Sequence, residues 1–182
     1  AELVRRQITV LFANSTAAAL TAKVATATIP IVFQTGADPV EMGLVASLNR
    51  PSGNITGIAF LANKLVTKRL ELLRELVPSA TTIGMLADPT NPNTEAEVKD
   101  AQAAAAALGR KLFVVRAGSM DEIDMAFAAL AQHGVSALFV AAHTNFNIWS
   151  ALILSTAARR AVAASYPASE FVVAGGLMSY GP

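Results

Sequence analysis

The sequence predicts an α/β fold in which short apolar strands alternate with helices. Runs rich in β-branched residues recur along the chain, and each is followed by a polar turn and then by a helix-forming segment. This alternation with short loops is typical of parallel sheets that helices cover on both faces. At 182 residues and 53% hydrophobic content, the chain also has enough apolar material for a buried core.

The first part of the chain contains two predicted strands. Residues 8–13 form a β-branched run that ends in polar residues, and residues 17–26 follow as an alanine-rich helix. The second strand spans residues 29–33, with Pro30 near its start, where a missing N–H group is tolerated. It leads into a polar loop, and residues 40–48 are then predicted to form a short helix.

A turn-rich break at residues 50–58 divides the pattern in two. Pro51 fixes its own φ angle, and Ser52 and Gly53 favour turns, so neither a helix nor a central strand can pass through. The residues after the break can form an extended strand. We expect this segment to be the first of several hinge crossings between two lobes.

Beyond the break the alternation is regular. Helices are predicted to begin near residues 64, 94 and 119, and the strands between and after them are predicted at 82–87, 112–115, 135–142 and 162–166. Thr94 with Glu97, and Ser119 with Glu122, have the spacing of capping boxes. The sequence therefore predicts two flavodoxin-like lobes, the first of them incomplete in this chain. The predicted domains are a partial lobe at 1–56, a second lobe at 57–170 and a return crossing at 171–182.

Composition excludes several classes of function. With a net charge of +1, the chain has no electrostatic footprint for nucleic acid, so no nucleic-acid partner is expected. Its apolar runs are interrupted well before the roughly 20 residues that a membrane-spanning helix needs. The absence of cysteine excludes a disulfide framework and a thiol nucleophile. The first residues lack the apolar segment of a signal peptide, so any targeting segment is expected to be absent from this chain.

Candidate ligand-binding residues follow the predicted strands, because open α/β sheets bind ligands beyond the carboxyl ends of their strands. Small hydroxyls and amides dominate these loops and suit hydrogen bonding to a zwitterion or a sugar. The same residue types also cap helices and form turns, which is the structural alternative for each of them. The predicted ligand-binding residues are Ser15, Thr16, Thr35, Asp38, Asn91, His143, Asn145 and Glu170.

No catalytic or metal site is predicted, and no cofactor is expected. His143 is the one candidate base, since His133 precedes Gly134 at a predicted helix end. The carboxylates at 95–100 and 121–124 lie in the first turns of helices, where the helix dipole favours acids, and are interpreted as structural. The chain also lacks the glycine patterns that bind nucleotide phosphates.

Several segments match one family in the same order along essentially the whole chain. They are STAAALTAKVAT at 15–26, IPIVF at 29–33, DPV at 38–40, GLV at 43–45, RPSGNITG at 50–57, KRLELL at 68–73, NP at 91–92, EF at 170–171 and AGGLMSYG at 174–181. Together they resemble the ABC transporter substrate-binding protein family that includes tryptophan- and tyrosine-type binding proteins. Several segments in register are more specific than any single motif.

The resemblance implies a fold like that of type I periplasmic binding proteins, with two α/β lobes and a cleft that closes on one small solute. It implies the solute-binding component of an ABC importer, which delivers a small polar molecule to a membrane permease without changing it. The implied solute is an amino acid, with aromatic amino acids among the candidates. The implied location is periplasmic or otherwise extracytoplasmic. Family members extend beyond both ends of this chain, so a second copy of the chain is expected to cover the incomplete first lobe.

The chain departs from the family pattern at four positions. Members usually carry Asp where this chain has His143, a second aromatic residue in place of Asn145, and Arg in place of Trp149 and Ser169. Charges that could meet a ligand are therefore different here. The remaining predicted contacts are Ser15 and Thr16 with a ligand carboxylate, and Asp38 or Glu170 with an ammonium group.

Two alternatives share the predicted architecture. One is the effector-sensing lobe pair of a regulator, although this chain has no helix-turn-helix pattern or basic patch. The other is an α/β enzyme that uses His143 as a base with Asp88 or Glu170. Binding without turnover would distinguish a binding protein from the enzyme.

Overall fold

The structure is a computed structural model that describes residues 2–6 and 8–181, with the backbone alone at residues 62 and 63. The chain divides into two compact units, Ala1–Asn63 and Lys64–Pro182. Each unit contains a parallel sheet with helices, so the predicted α/β class is confirmed.

The first unit is built on a three-stranded sheet in the order β1-β2-β3. Its elements are α1 (Glu2–Arg5), β1 (Leu11–Ala13), α2 (Thr16–Ala25), β2 (Ile31–Thr35), β3 (Ile55–Ala59) and the start of a 3-10 helix (Ala62–Leu65). Both strand pairs are parallel, with Leu11 opposite Ile31 and Ile31 opposite Ile55. The two strands predicted before the break and the helix predicted at residues 17–26 are therefore confirmed.

The helix predicted at residues 40–48 is wrong. The segment forms turns, because Gly43 adopts a left-handed conformation with φ +66 and ends the first turn. Its amide bonds the carbonyl of Val40, and the amide of Leu44 bonds the carbonyl of Pro39 at 2.8 Å. The chain then turns inward, and Leu44 and Val45 join the core of the first unit.

The break at residues 50–58 contains the predicted turn. Ser52 and Gly53 both have positive φ angles, of 57° and 71°, which end any regular element before β3 begins at Ile55. Strand β3 crosses the predicted boundary at residue 56, and its full length pairs with β2. The proposed hinge role of this segment, and the domain ranges 1–56, 57–170 and 171–182, stay predictions.

One face of the first sheet is covered and the other is not. Helix α2 contributes Ala19 and Ala22 to a core that includes Ile31, Phe33 and Ile55. The opposite sheet face exposes a second set of apolar side chains in the described structure: Phe12, Val32 and Ile58. Parallel sheets are normally covered on both faces. The expectation that a second copy of the chain covers this face stays a prediction.

The second unit is a five-stranded parallel sheet in the order β5-β4-β6-β7-β8. Its elements are α3 (Val66–Leu76), β4 (Thr82–Ala87), α4 (Thr94–Ala107), β5 (Lys111–Arg116), α5 (Met120–Gln132), β6 (Ala137–Val140), α6 (Thr144–Ile148), α7 (Ser150–Arg159), β7 (Ala163–Tyr166), α8 (Ser169–Val173) and β8 (Met178–Ser179). The alternation predicted beyond the break is confirmed. The order places β4 beside β6, although β5 separates them in sequence.

Neither predicted capping box forms as expected. Helix α4 begins at Thr94 with Asn93 in the N-cap position, and the Glu97 side chain reaches the amide of Ala142 instead of its own helix end. Ser119 does occupy the N-cap of α5, but the Glu122 carboxylate accepts from the amide of Gly118 at 2.6 Å. Glu97 therefore makes a tertiary contact, and Glu122 binds the loop before its helix, instead of capping the helices as the local spacing predicted.

Gly84 lies in the middle of β4, where α5 packs closely against the strand. A Cβ atom at this position would lie 2.5 Å from Leu130 Cδ2 and 2.9 Å from Val135 Cγ1. Gly84→Ala is therefore expected to lower the free energy of unfolding by about 1–3 kcal/mol through overpacking. Urea denaturation monitored by circular dichroism measures this change.

Gly118→Ala is the matched control, because the nearest atoms to its Cβ position are 3.4 Å away. It is expected to unfold at nearly the wild-type urea concentration. Equal effects of the two alanines would show that the packing of α5 against β4 relaxes around the added methyl group.

Candidate functional site

The candidate site lies at the carboxyl edge of the second sheet, where β4 and β6 end side by side. Strand β4 ends at Ala87 and delivers Asp88, while β6 ends at Val140 and leads through two alanines to His143. Because β4 and β6 are paired and parallel, these two loops leave the sheet at the same edge. Loops at this edge are where open α/β folds bind ligands.

Asp88 is the centre of a buried polar cluster. Its side chain is fully buried, and Oδ1 accepts hydrogen bonds from the amide and the hydroxyl of Thr90 at 2.8 and 2.7 Å. Oδ2 lies 2.9 Å from Asn145 Nδ2 and 2.7 Å from His143 Nδ1. Every partner can donate, so both oxygens of the carboxylate are satisfied within the fold.

The contacts of His143 define its tautomer. Nδ1 lies 2.7 Å from Asp88 Oδ2 and 3.2 Å from the amide nitrogen of Asn145. One ring nitrogen cannot donate to the first and accept from the second. We assign the proton to Nδ1, because the carboxylate is the nearer partner and accepts hydrogen bonds only. The lone pair of the neutral ring is then on Nε2.

Burial keeps the imidazole neutral. The pKa of His143 is lowered from its ordinary value of 6.5 because burial disfavours the charged form, and this effect outweighs the nearby Asp88 carboxylate, which acts in the opposite direction. The side chain retains 15% of its exposure. Among the described residues, Nε2 has no hydrogen-bond partner. His143 therefore has a hydrogen-bond acceptor that a ligand could use.

The side chains of the remaining predicted residues of the second unit make no described hydrogen bond to Asp88, His143 or Asn145. Asn91 belongs to the loop after Asp88, where its Oδ1 accepts from the amide of Asn93 at 3.1 Å and shapes the turn before α4. Glu170 is an exposed residue in the first turn of α8, after the neighbouring strand β7. The structure thus brings together His143 and Asn145 through Asp88. Ligand contacts of Asn91 and Glu170 stay predictions.

In the first unit each predicted residue has a local structural partner. Ser15 is the N-cap of α2 and accepts from the amide of Ala18 at 3.2 Å. The hydroxyls of Thr16 and Thr35 bond each other at 2.7 Å, both buried. Asp38 Oδ1 accepts from the amide of Val40 at 2.9 Å, as in an Asx turn. Ser15 and Asp38 therefore have the capping and turn roles of the structural alternative, whereas Thr16 and Thr35 bind each other between α2 and β2. Ligand contacts here stay predictions.

Arg69 is a buried residue of this edge that sequence reasoning missed. It is 2% exposed on α3 and has no acidic side chain as a hydrogen-bond partner among the described residues. Instead Nη2 donates to the carbonyls of Val140 and Ser165 at 2.7 and 2.8 Å, and the guanidinium lies 4.0 Å from the centre of the Phe139 ring. Burial lowers its pKa to about 10, partly offset by Glu97, so it stays charged.

Glu97 is the second residue that was missed, since an acid in the first turn of a helix was interpreted as structural. It is 1% exposed, and its Oε1 lies 3.2 Å from the amide of Ala142. Burial raises its pKa to about 7, while the Ala142 amide and Arg69 act in the opposite direction. A signal was present for both residues, because each has the helical spacing of its helix's apolar face. Arg69 lies three residues after Val66 and four before Leu73, and Glu97 lies four residues before Ala101.

The described residues contain no group of three or more His, Cys, Asp or Glu side chains placed to hold a metal ion. Within the same part of the chain, none of the helices has the length and apolar character required to cross a bilayer.

Comparison with known proteins places the chain in a family. The family model described as ABC transporter substrate binding protein matches residues 1–182. The chain belongs to this family. Membership of the ABC transporter substrate-binding proteins confirms the resemblance that the sequence segments indicated.

This substrate-binding protein shares its fold with two solved structures over 98% of its length. One is a conserved domain protein from Vibrio cholerae O1 biovar eltor, with a TM-score of 0.87 and 26% identity. The other is an ABC domain from Streptococcus pneumonia in complex with L-Trp, with a TM-score of 0.84 and 24% identity. At that identity, the second likeness is evidence for the fold alone.

A curated relative supports the same assignment. The substrate-binding protein is 39% identical over 88 residues to the tyrosine-binding protein of Clostridioides difficile strain R20291, which is 48% of this chain and 25% of that protein. In the two solved structures, the chain spans 59% of the other chain's length. It therefore corresponds to a part of each of these relatives.

Proposed function

We propose that this protein binds a small polar solute, an amino acid, and that the carboxyl edge of the second sheet forms part of the binding site. The observation that carries the proposal is the His143 imidazole held neutral against the buried Asp88 carboxylate. Its Nε2 can accept a hydrogen bond from a ligand ammonium or hydroxyl group. Because Asp88 fixes the imidazole ring before a ligand arrives, binding requires little further ordering of the His143 side chain.

Relatives support an aromatic amino acid as the solute. The curated relative is named a tyrosine-binding protein, and one solved structure with the same fold contains L-Trp. Trp149 follows α6 and lies at the edge of the second core, 6.1 Å from the ring of Phe146. Phe139 and Phe146 are nearer to His143 in sequence but fully buried, whereas Trp149 is partly exposed, and we propose it as a contact for the ligand ring.

The family supports a role in transport. We propose that the protein acts outside the cytoplasm and delivers its solute unchanged to an ABC permease. An enzymatic alternative would use His143 as a base beside Asp88. The described polar groups within hydrogen-bond distance of the His143 ring are the Asp88 carboxylate and the Asn145 amide, and neither is a nucleophilic hydroxyl. This arrangement favours binding over turnover.

Calorimetry on the full-length protein tests the proposal. After removal of bound solute by unfolding and refolding, the protein is titrated with L-tyrosine, L-tryptophan, L-phenylalanine, L-leucine and L-glutamate. We expect saturable binding of at least one aromatic amino acid, and recovery of that amino acid unchanged by mass spectrometry. Absence of binding to all five would overturn the amino-acid assignment, and a mass change in the ligand would establish the enzymatic alternative.

His143→Ala is expected to weaken binding of that amino acid about 5–10-fold, the effect of losing one neutral hydrogen bond of about 1–1.5 kcal/mol. Binding by the wild-type protein should also depend on pH. Because the His143 pKa lies below 6.5, the ring is neutral at pH 7, and affinity should be constant from pH 8 to 7. It should fall below pH 6.5, since a protonated Nε2 cannot accept a hydrogen bond.

His133→Ala is the control, because His133 is exposed at the end of α5 and stacks on Phe113 with ring centres 3.9 Å apart. This variant should bind and titrate as the wild-type protein does. If His143→Ala kept both the affinity and the pH response, His143 would not be a ligand contact.

A further inference from the structure

The segment that carries His143 is held at four consecutive residues. The carbonyl of Val140 accepts from Arg69 at 2.7 Å, and the amide of Ala141 bonds the carbonyl of Leu86 at 3.0 Å. The amide of Ala142 donates to Glu97 at 3.2 Å, and His143 itself contacts Asp88. Only the Leu86 contact is ordinary continuation of the β4–β6 ladder.

The side chains that hold the segment come from outside the strand and its loop. Arg69 extends from α3 and Glu97 from the first turn of α4, two helices that pack against each other. Both side chains are almost fully buried. The charged groups that act on Glu97 are Arg69 and Asp100. A buried acid that bonds a loop amide 45 residues away is an unusual use of a position in a helix's first turn.

We propose that Glu97 is a positioning residue for the ligand-contacting imidazole: by holding the Ala142 amide, it sets the backbone from which His143 extends and so keeps the ring against Asp88. The inference rests on the proposed binding function. Glu97 acts through residues 140–143, and Arg69 holds the same segment by donating to the carbonyl of Val140.

The chemistry explains why a carboxyl group suits this position. The Ala142 amide is a half-buried donor, and leaving such a donor without an acceptor is unfavourable. The Glu97 oxygen satisfies it, and the positive charge of Arg69 offsets part of the penalty of burying the acid. Without this acceptor, the amide would turn toward water. Because Ala142 directly precedes His143, such a rotation would move the imidazole away from Asp88.

The experiment observes the His143 ring by NMR in ligand-free, full-length protein, so that its result does not depend on ligand binding. Nitrogen-15 spectra report the tautomer and the pKa of each imidazole, and His133 is an internal reference. In Glu97→Ala we expect the His143 pKa to rise toward 6.5 and the preference for the Nδ1–H tautomer to weaken. Affinity for the amino acid found by calorimetry should fall by no more than the loss of about 5–10-fold expected for His143→Ala.

Three further variants make the test specific. Glu97→Gln keeps an oxygen that accepts from the Ala142 amide, and it should retain the wild-type tautomer and affinity. Glu97→Asp shortens the side chain by one methylene and should behave as Glu97→Ala does, so it replaces that variant if Glu97→Ala does not fold. Glu95→Ala, in the same helix turn, removes an exposed acid that pairs with Arg116 at 3.0 Å and should change nothing.

The outcomes separate the two proposals. An unchanged His143 titration and affinity in Glu97→Ala and Glu97→Asp would overturn the positioning role and leave Glu97 as a structural residue. A shifted His143 titration in a protein that binds none of the amino acids tested would support the positioning role while the proposed function fails.

Discussion

Arg69→Leu is expected to lower the free energy of unfolding of the second unit by about 3–5 kcal/mol. The guanidinium donates to the carbonyls of Val140 and Ser165 at 2.7 and 2.8 Å and lies over the Phe139 ring. Leucine would leave both buried carbonyls without these donors and Glu97 without its neighbouring positive charge. Urea denaturation at pH 7 measures the loss.

Lys68→Ala is the matched control, since Lys68 is the adjacent residue of α3. Its side chain is half exposed and pairs with Glu71 at 3.3 Å, an ion pair worth less than about 1 kcal/mol. Arg69→Lys should be intermediate, because an ammonium group lacks the planar fork that reaches two carbonyls at once. If Arg69→Leu were as stable as Lys68→Ala, apolar packing would have replaced the buried charge without penalty.

Asp88→Ala is expected to have the second large effect, on stability and on binding together. The carboxylate accepts from Thr90, Asn145 and His143, and its side chain is fully buried. Its removal leaves several donors unpaired at one point, which corresponds to about 3–5 kcal/mol of unfolding free energy. It also releases the imidazole, so binding of the amino acid should weaken about 5–10-fold, as in His143→Ala.

Two substitutions define what Asp88 contributes. Asp88→Asn keeps the shape but offers an amide in place of one oxygen, so part of the stability should return while the His143 tautomer changes. Asp124→Ala removes an exposed carboxylate that lies 3.3 Å from Arg159 and should leave stability within about 1 kcal/mol of wild type. Wild-type binding by Asp88→Ala would contradict the role of the Asp88–His143 pair in the site.

Much of the fold could be predicted because it depends on local periodicity. The helices α2, α3 and α5 have apolar residues at helical spacing, and strands such as β4 are short apolar runs bounded by turn residues. The exception was residues 40–48, where helical spacing is present but Gly43 takes a positive φ angle. One glycine conformation outweighed the pattern, because a helix cannot continue through a left-handed residue.

The candidate site was only partly predictable. His143 and Asn145 were identified because polar residues follow strands at the binding edge of α/β sheets. Their partner Asp88 lies 57 residues from Asn145, and their meeting depends on β6 pairing with β4 and not with β5. Strand order depends on how each crossover helix packs, which single-strand patterns do not report.

By itself, then, the sequence determined the α/β class, most helix and strand positions, the family and the polar character of the strand-end loops, because these depend on residues close together along the chain. Only the tertiary structure decided that Arg69 and Glu97 are buried and that they hold the segment before His143. A charged residue of a helix usually faces water and enters the core only where tertiary contacts satisfy it. Which of the two it meets depends on the packing of α3, α4 and β6, whose contacts join residues tens of positions apart.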